Sequence, residues 1–281
     1  MKTQTVEGIS YTLPKVTILQ QSPLLVAEYA GRVAYDSFSN SEHDVIKNFN
    51  ASRVNELDAE SSGLLDSLAW THFHHSVLEH INLTYLIKGT SRGVLQEHAR
   101  HRIQSITVRS TRYTMSSIIN AFVAEITNNQ TNTIPSIWFV DKLLSLDLFV
   151  TSDRDYNLIQ VYDIFNKLKY QHKLLGHKDF LDISLSKSNK EALSNLKSFV
   201  LDDTFNTLES GKKKRNIGDA FKHIVNDNWK VDMVVTFNLR SLKNYFELRD
   251  SGAAYFLIRE LAKQMKLSTP DKYLNLIIRK N

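Results

Sequence analysis

Apolar positions recur at helical spacing through residues 22–35, SPLLVAEYAGRVAY, with Ser22 ahead of Pro23 where a helix can start. A second helix is predicted across residues 54–70, VNELDAESSGLLDSLAW. The period then changes: residues 81–87, INLTYLI, alternate and are rich in β-branched and aromatic side chains, which predicts a strand. Residues 91–102, SRGVLQEHARHR, return to helical spacing, and residues 230–237, KVDMVVTF, carry the strongest strand pattern in the chain. Asn238 follows that strand where an N-cap belongs, before LRSLKNYFELRDSG at 239–252 with its Gly252 stop. A last helix is predicted over 253–265, AAYFLIRELAKQM, ahead of a second cap-like stretch, STPDKYLNLII. Residues 118–126, IINAFVAEI, fit either a strand or a short helix. From 136 to about 210 the pattern is helical and increasingly polar, with no turn-rich linker. Mostly helix with a few separated strands argues α+β rather than a regular βαβ alternation.

Composition narrows the chemistry. With 281 residues the chain can bury one large core or two small ones, and four prolines with nine glycines leave room for the helices just described. Cysteine is absent, which removes disulfides, thiolate metal sites and a cysteine nucleophile together. The balance of 35 cations against 30 acids suits an anionic ligand without demanding a nucleic acid. No stretch reaches the roughly eighteen consecutive apolar residues of a membrane span, and MKTQTVEGIS lacks the apolar core of a signal peptide. These features predict a cytoplasmic protein.

Residues 100–114, RHRIQSITVRSTRYT, gather Arg100, His101, Arg102, Arg109 and Arg112 among Ser105, Thr107, Ser110, Thr111 and Tyr113. Guanidinium forks beside hydroxyl donors are the best holders of phosphate oxygens, because charged hydrogen bonds are about twice as strong as neutral ones. The segment is therefore either an anion grip in two clusters or a surface salt-bridged to acids such as Glu97. A second polar stripe, Asn238, Arg240 and Asn244, lies at the start of the 239–252 helix, where backbone N–H groups favour anions. The alternative there is an amphipathic helix with a solvated face. HFHH at 72–75, with His80, His98 and His101, has no HExxH arrangement or carboxylate triad, so no metal is expected. GKKKR at 211–215 has no aromatic residues to stack bases and reads as an exposed loop.

Taken together, these motifs resemble the flavin-dependent thymidylate synthase family. Its signature, R-H-R followed by seven residues and a serine, stands here as Arg100-His101-Arg102, IQSITVR and Ser110. NLRSLKNYFELR, after a strand, is similar to the family's second block, and HHSVLEH supplies His74, Ser76, Glu79 and His80 to a third. AGRVAY is a weaker fourth match. The resemblance covers about 25–125 and 215–265, and implies one helix-rich α+β domain over 1–281 with a central, mostly antiparallel sheet and a helical insertion at about 140–212.

What it implies chemically is reductive methylation of dUMP to dTMP, with methylenetetrahydrofolate as carbon donor and NADPH-reduced FAD as hydride donor. Members are homotetramers whose active sites are shared between subunits, and they need no cysteine, in agreement with the composition. Carried over by position, Ser76, Arg100, His101, Arg102, Asn238, Arg240 and Asn244 would bind FAD, with His74 near the flavin ring. Glu97, Arg100, Arg109, Ser110, Thr111, Arg112 and Lys222 would bind dUMP, the Ser110–Arg112 group coming from a neighbouring subunit. Arg249 would sit against the uracil and stabilise negative charge developing at N3 and O4, with Ser110 and His74 also at the reacting centre. The sequence departs from the family where Asn-Glu is usual and Thr107-Val108 stands, where Gln is replaced by Glu97 and Arg by Lys222, and where AYFLIR replaces Gln-Trp-Glu-Ile. A carboxylate at Glu97 would repel a phosphate unless Arg100 or Arg112 neutralises it. These departures leave open another pyrimidine nucleotide or another one-carbon outcome such as hydroxymethylation. A nucleic-acid-binding protein using the Arg clusters is the alternative from a different class.

Overall fold

A computed structural model describes residues 3–6, 9–48, 62–111, 145–148 and 229–279, together with positions 117, 121, 124, 142, 150 and 227. The GKKKR run, Arg112, Lys222 and nearly all of the segments 118–126 and 136–210 lie outside the described residues. The chain divides into two compact units, residues 1–12, 91–93 and 109–231 in the first, and 13–90, 94–108 and 232–281 in the second.

In the first unit, strands β1 (Thr3–Val6) and β2 (Ile9–Thr12) form an antiparallel hairpin, with Thr3 opposite Thr12 and Val6 opposite Ile9. Trp229 accepts the backbone N–H of Arg92 at 2.9 Å, and Asp227 that of Gly93 at 3.0 Å. That approach is close: a Cβ on Gly93 would stand 3.3 Å from the Cβ of Asp227.

The second unit is built on a four-stranded sheet. Strand β3 (Lys15–Gln21) leads into helix α1 (Leu25–Ala34), a short helix α2 (Asp44–Lys47) and helix α3 (Gly63–Trp70). A 3-10 helix at His75–His80 precedes strand β4 (Asn82–Ser91), helix α4 (Arg92–His98) and strand β5 (Ser105–Val108). Strand β6 (Lys230–Asn238) and helices α5 (Leu239–Arg249), α6 (Phe256–Ser268) and α7 (Asp271–Ile277) complete it. The strands lie in the order β3-β4-β6-β5, with β3–β4 and β5–β6 antiparallel.

Alternation makes this sheet two-faced. Leu83, Tyr85 and Ile87 of β4 and Met233, Val235 and Phe237 of β6 are buried, while their neighbours are less so. The buried residues of α5 (Leu239, Leu242, Tyr245, Phe246) and α6 (Ile258, Leu261, Ala262, Met265) recur at helical spacing and close the core. Each fully buried side chain of this size contributes about 2 kcal/mol against exposure. Two tyrosine hydroxyls tie the helices on: Tyr85 meets Thr269 Oγ1 at 2.8 Å, and Tyr273 donates to the Ser22 carbonyl at 2.9 Å.

The α+β class stands, and several bounds move. Ser22 does not cap α1, which begins at Leu25; Ser22 instead pairs with Asn82, donating its backbone N–H and accepting at Oγ. The strand predicted at 81–87 continues to Ser91, and the last helix begins at Phe256 rather than Ala253. The helix predicted over 91–102 ends at His98. Its carbonyl is taken by the backbone N–H of His101 at 3.1 Å and by Gln104 Nε2 at 2.9 Å, which turns the chain out of the helix. Strands β1, β2, β3 and β5 were not anticipated. Among the described residues no helix is long and apolar enough to cross a membrane.

Candidate active site

Two segments far apart in sequence meet in the second unit. The first is the turn after α4, which holds Arg100, His101 and Arg102 outside any helix. The second is α5, whose start is fixed at two points: Asn238 Oδ1 accepts the N–H of Ser241 at 2.8 Å, and the N–H of Leu239 donates to the Ile81 carbonyl at 2.9 Å. Because Leu239, Leu242, Tyr245 and Phe246 face the core, Arg240, Asn244 and Leu248 share the opposite face at intervals of four residues. Turn and helix wall a cleft of about 1160 Å³.

Arg249, at the last turn of α5, joins the two walls. Its Nε donates to His101 Nε2 at 2.8 Å, its Nη1 to Glu97 Oε2 at 2.7 Å, and its Nη2 to the Glu97 carbonyl at 3.1 Å. A nitrogen that accepts from a guanidinium carries no proton, so His101 is neutral with its proton on Nδ1. Burial, and then the Arg249 charge, lower the pKa of His101, while Glu97 opposes them. Arg240 pairs in the same way with Glu79.

An aromatic layer lies beneath. The His101 ring meets Tyr245 edge-on at 4.8 Å, and the fully buried His98 ring meets Tyr245 at 5.1 Å and Phe237 at 5.6 Å. His98 Nδ1 and the Tyr245 hydroxyl are 3.1 Å apart, and His98 Nε2 has no hydrogen-bond partner among the described residues. Burial is the main cause of a His98 pKa pushed down to about 3, with His101 adding to it; Gln104 opposes. The Tyr245 hydroxyl is held well above its ordinary range by burial. This layer is neutral, and it lies beneath a cleft whose charged groups are guanidiniums and the carboxylates of Glu79 and Glu97.

Of the residues singled out in the sequence, Glu97, Arg100, His101 and Arg102 line the cleft, and so do Asn238, Arg240, Asn244 and Arg249. Among the described residues the cation that neutralises Glu97 is Arg249 rather than Arg100; Arg100 and Arg102 are exposed and have no ion pair among the described residues. The surface salt bridge to Glu97 suggested for the Arg-His-Arg turn is therefore made from another element. His74 and Ser76 are exposed at the start of the 3-10 helix and do not line the cleft. Ser110 is exposed and Arg109 and Thr111 are half-buried, all three within the first unit. Arg112 and Lys222 lie outside the described residues. The departure at Thr107-Val108 falls in β5, where Val108 is half-buried opposite Met233.

The structure adds lining residues that the sequence reading passed over: Glu79, Ser241, Ser251, Ile103 and Leu248. Glu79 stood inside the HHSVLEH match, and its ion pair with Arg240 gives it a place. Ile103 and Leu248 are 70% and 53% exposed, large apolar side chains left open beside cations. Such a mixture of apolar wall and guanidinium donors fits a ligand with flat rings and phosphates.

The sequence model of the Thy1 family, described as thymidylate synthase complementing protein, matches residues 17–269. A flavin-dependent thymidylate synthase of Campylobacter jejuni is 27% identical over 259 residues, which are 92% of this chain and 93% of that one. One from Wolinella succinogenes is 26% identical over 258 residues, 92% of this chain and 94% of the other. Among solved structures, Thymidylate Synthase X from Helicobacter pylori with FAD and dUMP matches with a TM-score of 0.54 at 22% identity. That match covers 94% of this chain and 97% of the other, and shows a common fold.

Proposed function

The chain belongs to the thymidylate synthase complementing protein family, and from that premise we propose that it is a flavin-dependent thymidylate synthase, converting dUMP to dTMP with methylenetetrahydrofolate, NADPH and FAD. The observation that carries the reading is the junction at Arg249. A hydrogen bond spanning 148 positions in sequence draws the Arg-His-Arg turn and the α5 polar face into one cleft.

The residues present fit FAD. Arg100 and Arg102 supply guanidinium groups without an ion pair among the described residues, suited to phosphates; Asn238 and Asn244 supply amide donors, and Ile103 and Leu248 offer an apolar surface for flat rings. Bound there, the flavin would supply hydride chemistry that no side chain in the cleft possesses. The protein's own task is placement and charge. Arg249, fixed in plane by His101 and Glu97, keeps N–H donors that would stabilise negative charge developing on a bound pyrimidine. Ser110, Thr111, Arg112 and Lys222 are assigned to dUMP, and His74 and Ser76 to the flavin, in a homotetramer where neighbouring subunits complete each site. The setting is cytoplasmic. Cations gathered around one cleft, rather than along a stripe, favour this reading over nucleic-acid binding.

The test is an absorption spectrum of the purified protein followed by turnover. A yellow protein whose flavin band is bleached by NADPH, and dTMP as product by mass spectrometry with dUMP, are the expected results. Protein that is colourless and cannot be reconstituted with FAD would overturn the reading. A product other than dTMP, or turnover of dCMP instead of dUMP, would move it to another pyrimidine modification. Arg249→Ala is expected to keep flavin and to lose turnover by about 10³-fold, the scale of removing a fixed charge-stabilising donor.

A further inference from the structure

A guanidinium has five N–H donors, and Arg249 commits three of them: one to the His101 imidazole, one to the Glu97 carboxylate and one to the Glu97 carbonyl. The group is planar, so three bonds in different directions fix its orientation. Two of those acceptors are neutral. The carboxylate bond is the one charged on both sides and therefore the strongest of the three.

The charges of the cleft divide accordingly. Arg249 is paired with Glu97 and Arg240 with Glu79, whereas Arg100 and Arg102 have no carboxylate partner among the described residues. A nucleotide entering this cleft brings a phosphate dianion and a neutral heterocycle. An Arg249 released from its carboxylate would be one more long, flexible cation free to turn toward the phosphate. Held by Glu97, it stays with the heterocycle, and the phosphate is left to other donors.

We propose that Glu97 is a positioning residue: its carboxylate and backbone carbonyl lock Arg249 in place at the reacting end of the cleft and keep it from pairing with the substrate's phosphate. This rests on reading the cleft as a thymidylate synthase site. It predicts an uncommon split. Deleting the carboxylate removes a negative charge from a site that takes a dianion, so dUMP binding is retained or tightened, while turnover falls because Arg249 is no longer placed.

His101 reports directly on where Arg249 is. The groups facing its ring are Arg249, Glu97, His98 and Tyr245. The Arg249 charge lowers the His101 pKa and the Glu97 charge raises it. If Glu97 acts only through its own charge, removing it lowers the His101 pKa further. If Glu97 holds Arg249, removing it lets the cation leave, and the pKa rises toward its ordinary value.

The experiment uses the full chain with isotope-labelled histidine, the His101 resonance being assigned by its absence in His101→Asn. Glu97→Ala is expected to raise the His101 midpoint, to keep dUMP affinity by calorimetry within about threefold, and to lower kcat by roughly 10²-fold, as for a misplaced catalytic group. Glu97→Gln keeps an acceptor for Nη1 but removes the charge that raises the His101 pKa, so its midpoint is expected to fall while kcat returns to within about fivefold of the parent. A His101 midpoint that falls in Glu97→Ala overturns the proposal, as does a weaker dUMP complex with kcat unchanged. Equal loss of kcat in both variants with the midpoint unmoved overturns it too. If the parent protein neither holds flavin nor turns over dUMP, the reading of the site fails, and the His101 titration still decides whether Glu97 holds Arg249.

Discussion

His98 is wholly buried between Phe237 and Tyr245, one ring nitrogen within hydrogen-bond reach of a hydroxyl and the other without a partner among the described residues. A proton added to this ring would be stranded away from water and close to Arg249. Burial pushes the His98 pKa down to about 3 from the ordinary 6.5, so between these values the unfolded chain binds a proton that the native state refuses. The sign follows: the contribution to stability is complete above pH 6.5 and is lost as pH falls below it, by up to about 1.4 kcal/mol per pH unit. Between pH 7 and 5.5 denaturant unfolding is expected to show a loss of about 1 kcal/mol from this group. Other residues titrate as well, so the measurement is a difference. His98→Gln, which cannot titrate, should lack that part of the slope, and an equal slope in both proteins would contradict the assignment.

At the scale of the element, α5 is both a structural beam and a wall of the cleft, and Asn238 serves both roles with different atoms. Its Oδ1 caps the helix, while its amide N–H groups are left for the cleft. Substitutions can separate the two. Asn238→Asp keeps a capping oxygen and adds a favourable charge at the helix start, but it loses the amide donors and places an anion where phosphates are expected. Its melting temperature should match or exceed the parent's while its flavin affinity falls. Asn238→Ala should lose both, with about 1 kcal/mol of stability going with the cap. If Asn238→Asp binds flavin as the parent does, the amide is not a cofactor contact.

The elements also differ in how legible they were. β6 and α5 were readable because an alternating strand, a cap and a 3.6-period face follow one another without interruption, and every level of pattern agrees. The end of α4 was not, since Arg100-His101-Arg102 continues the helical spacing. What ends that helix is Gln104 reaching back to the His98 carbonyl, a side-chain contact with no periodicity to announce it. β5 is four residues long and half exposed, too short for alternation to show. The pairing of Glu97 with Arg249 depends on how two distant segments meet, so sequence spacing suggested only nearer cations.

At the scale of the whole molecule, the Arg-His-Arg turn and α5 supply one cleft within the second unit, whereas Ser110, the serine of the same motif, belongs to the first. His74 and Ser76 are exposed and apart from the cleft. The family resemblance implies a site that takes Arg249 from one chain and Ser110 from another. This can be tested without further structure. Arg249→Ala and Ser110→Ala proteins, each inactive alone, are unfolded together, refolded at equal concentration and assayed. If each site takes Arg249 from one subunit and Ser110 from its neighbour, a random assortment leaves both intact in one site in four. Activity should therefore return to about a quarter of the parent level. If both residues came from the same chain, every site would carry one defect or the other, and the mixture would stay as inactive as its components.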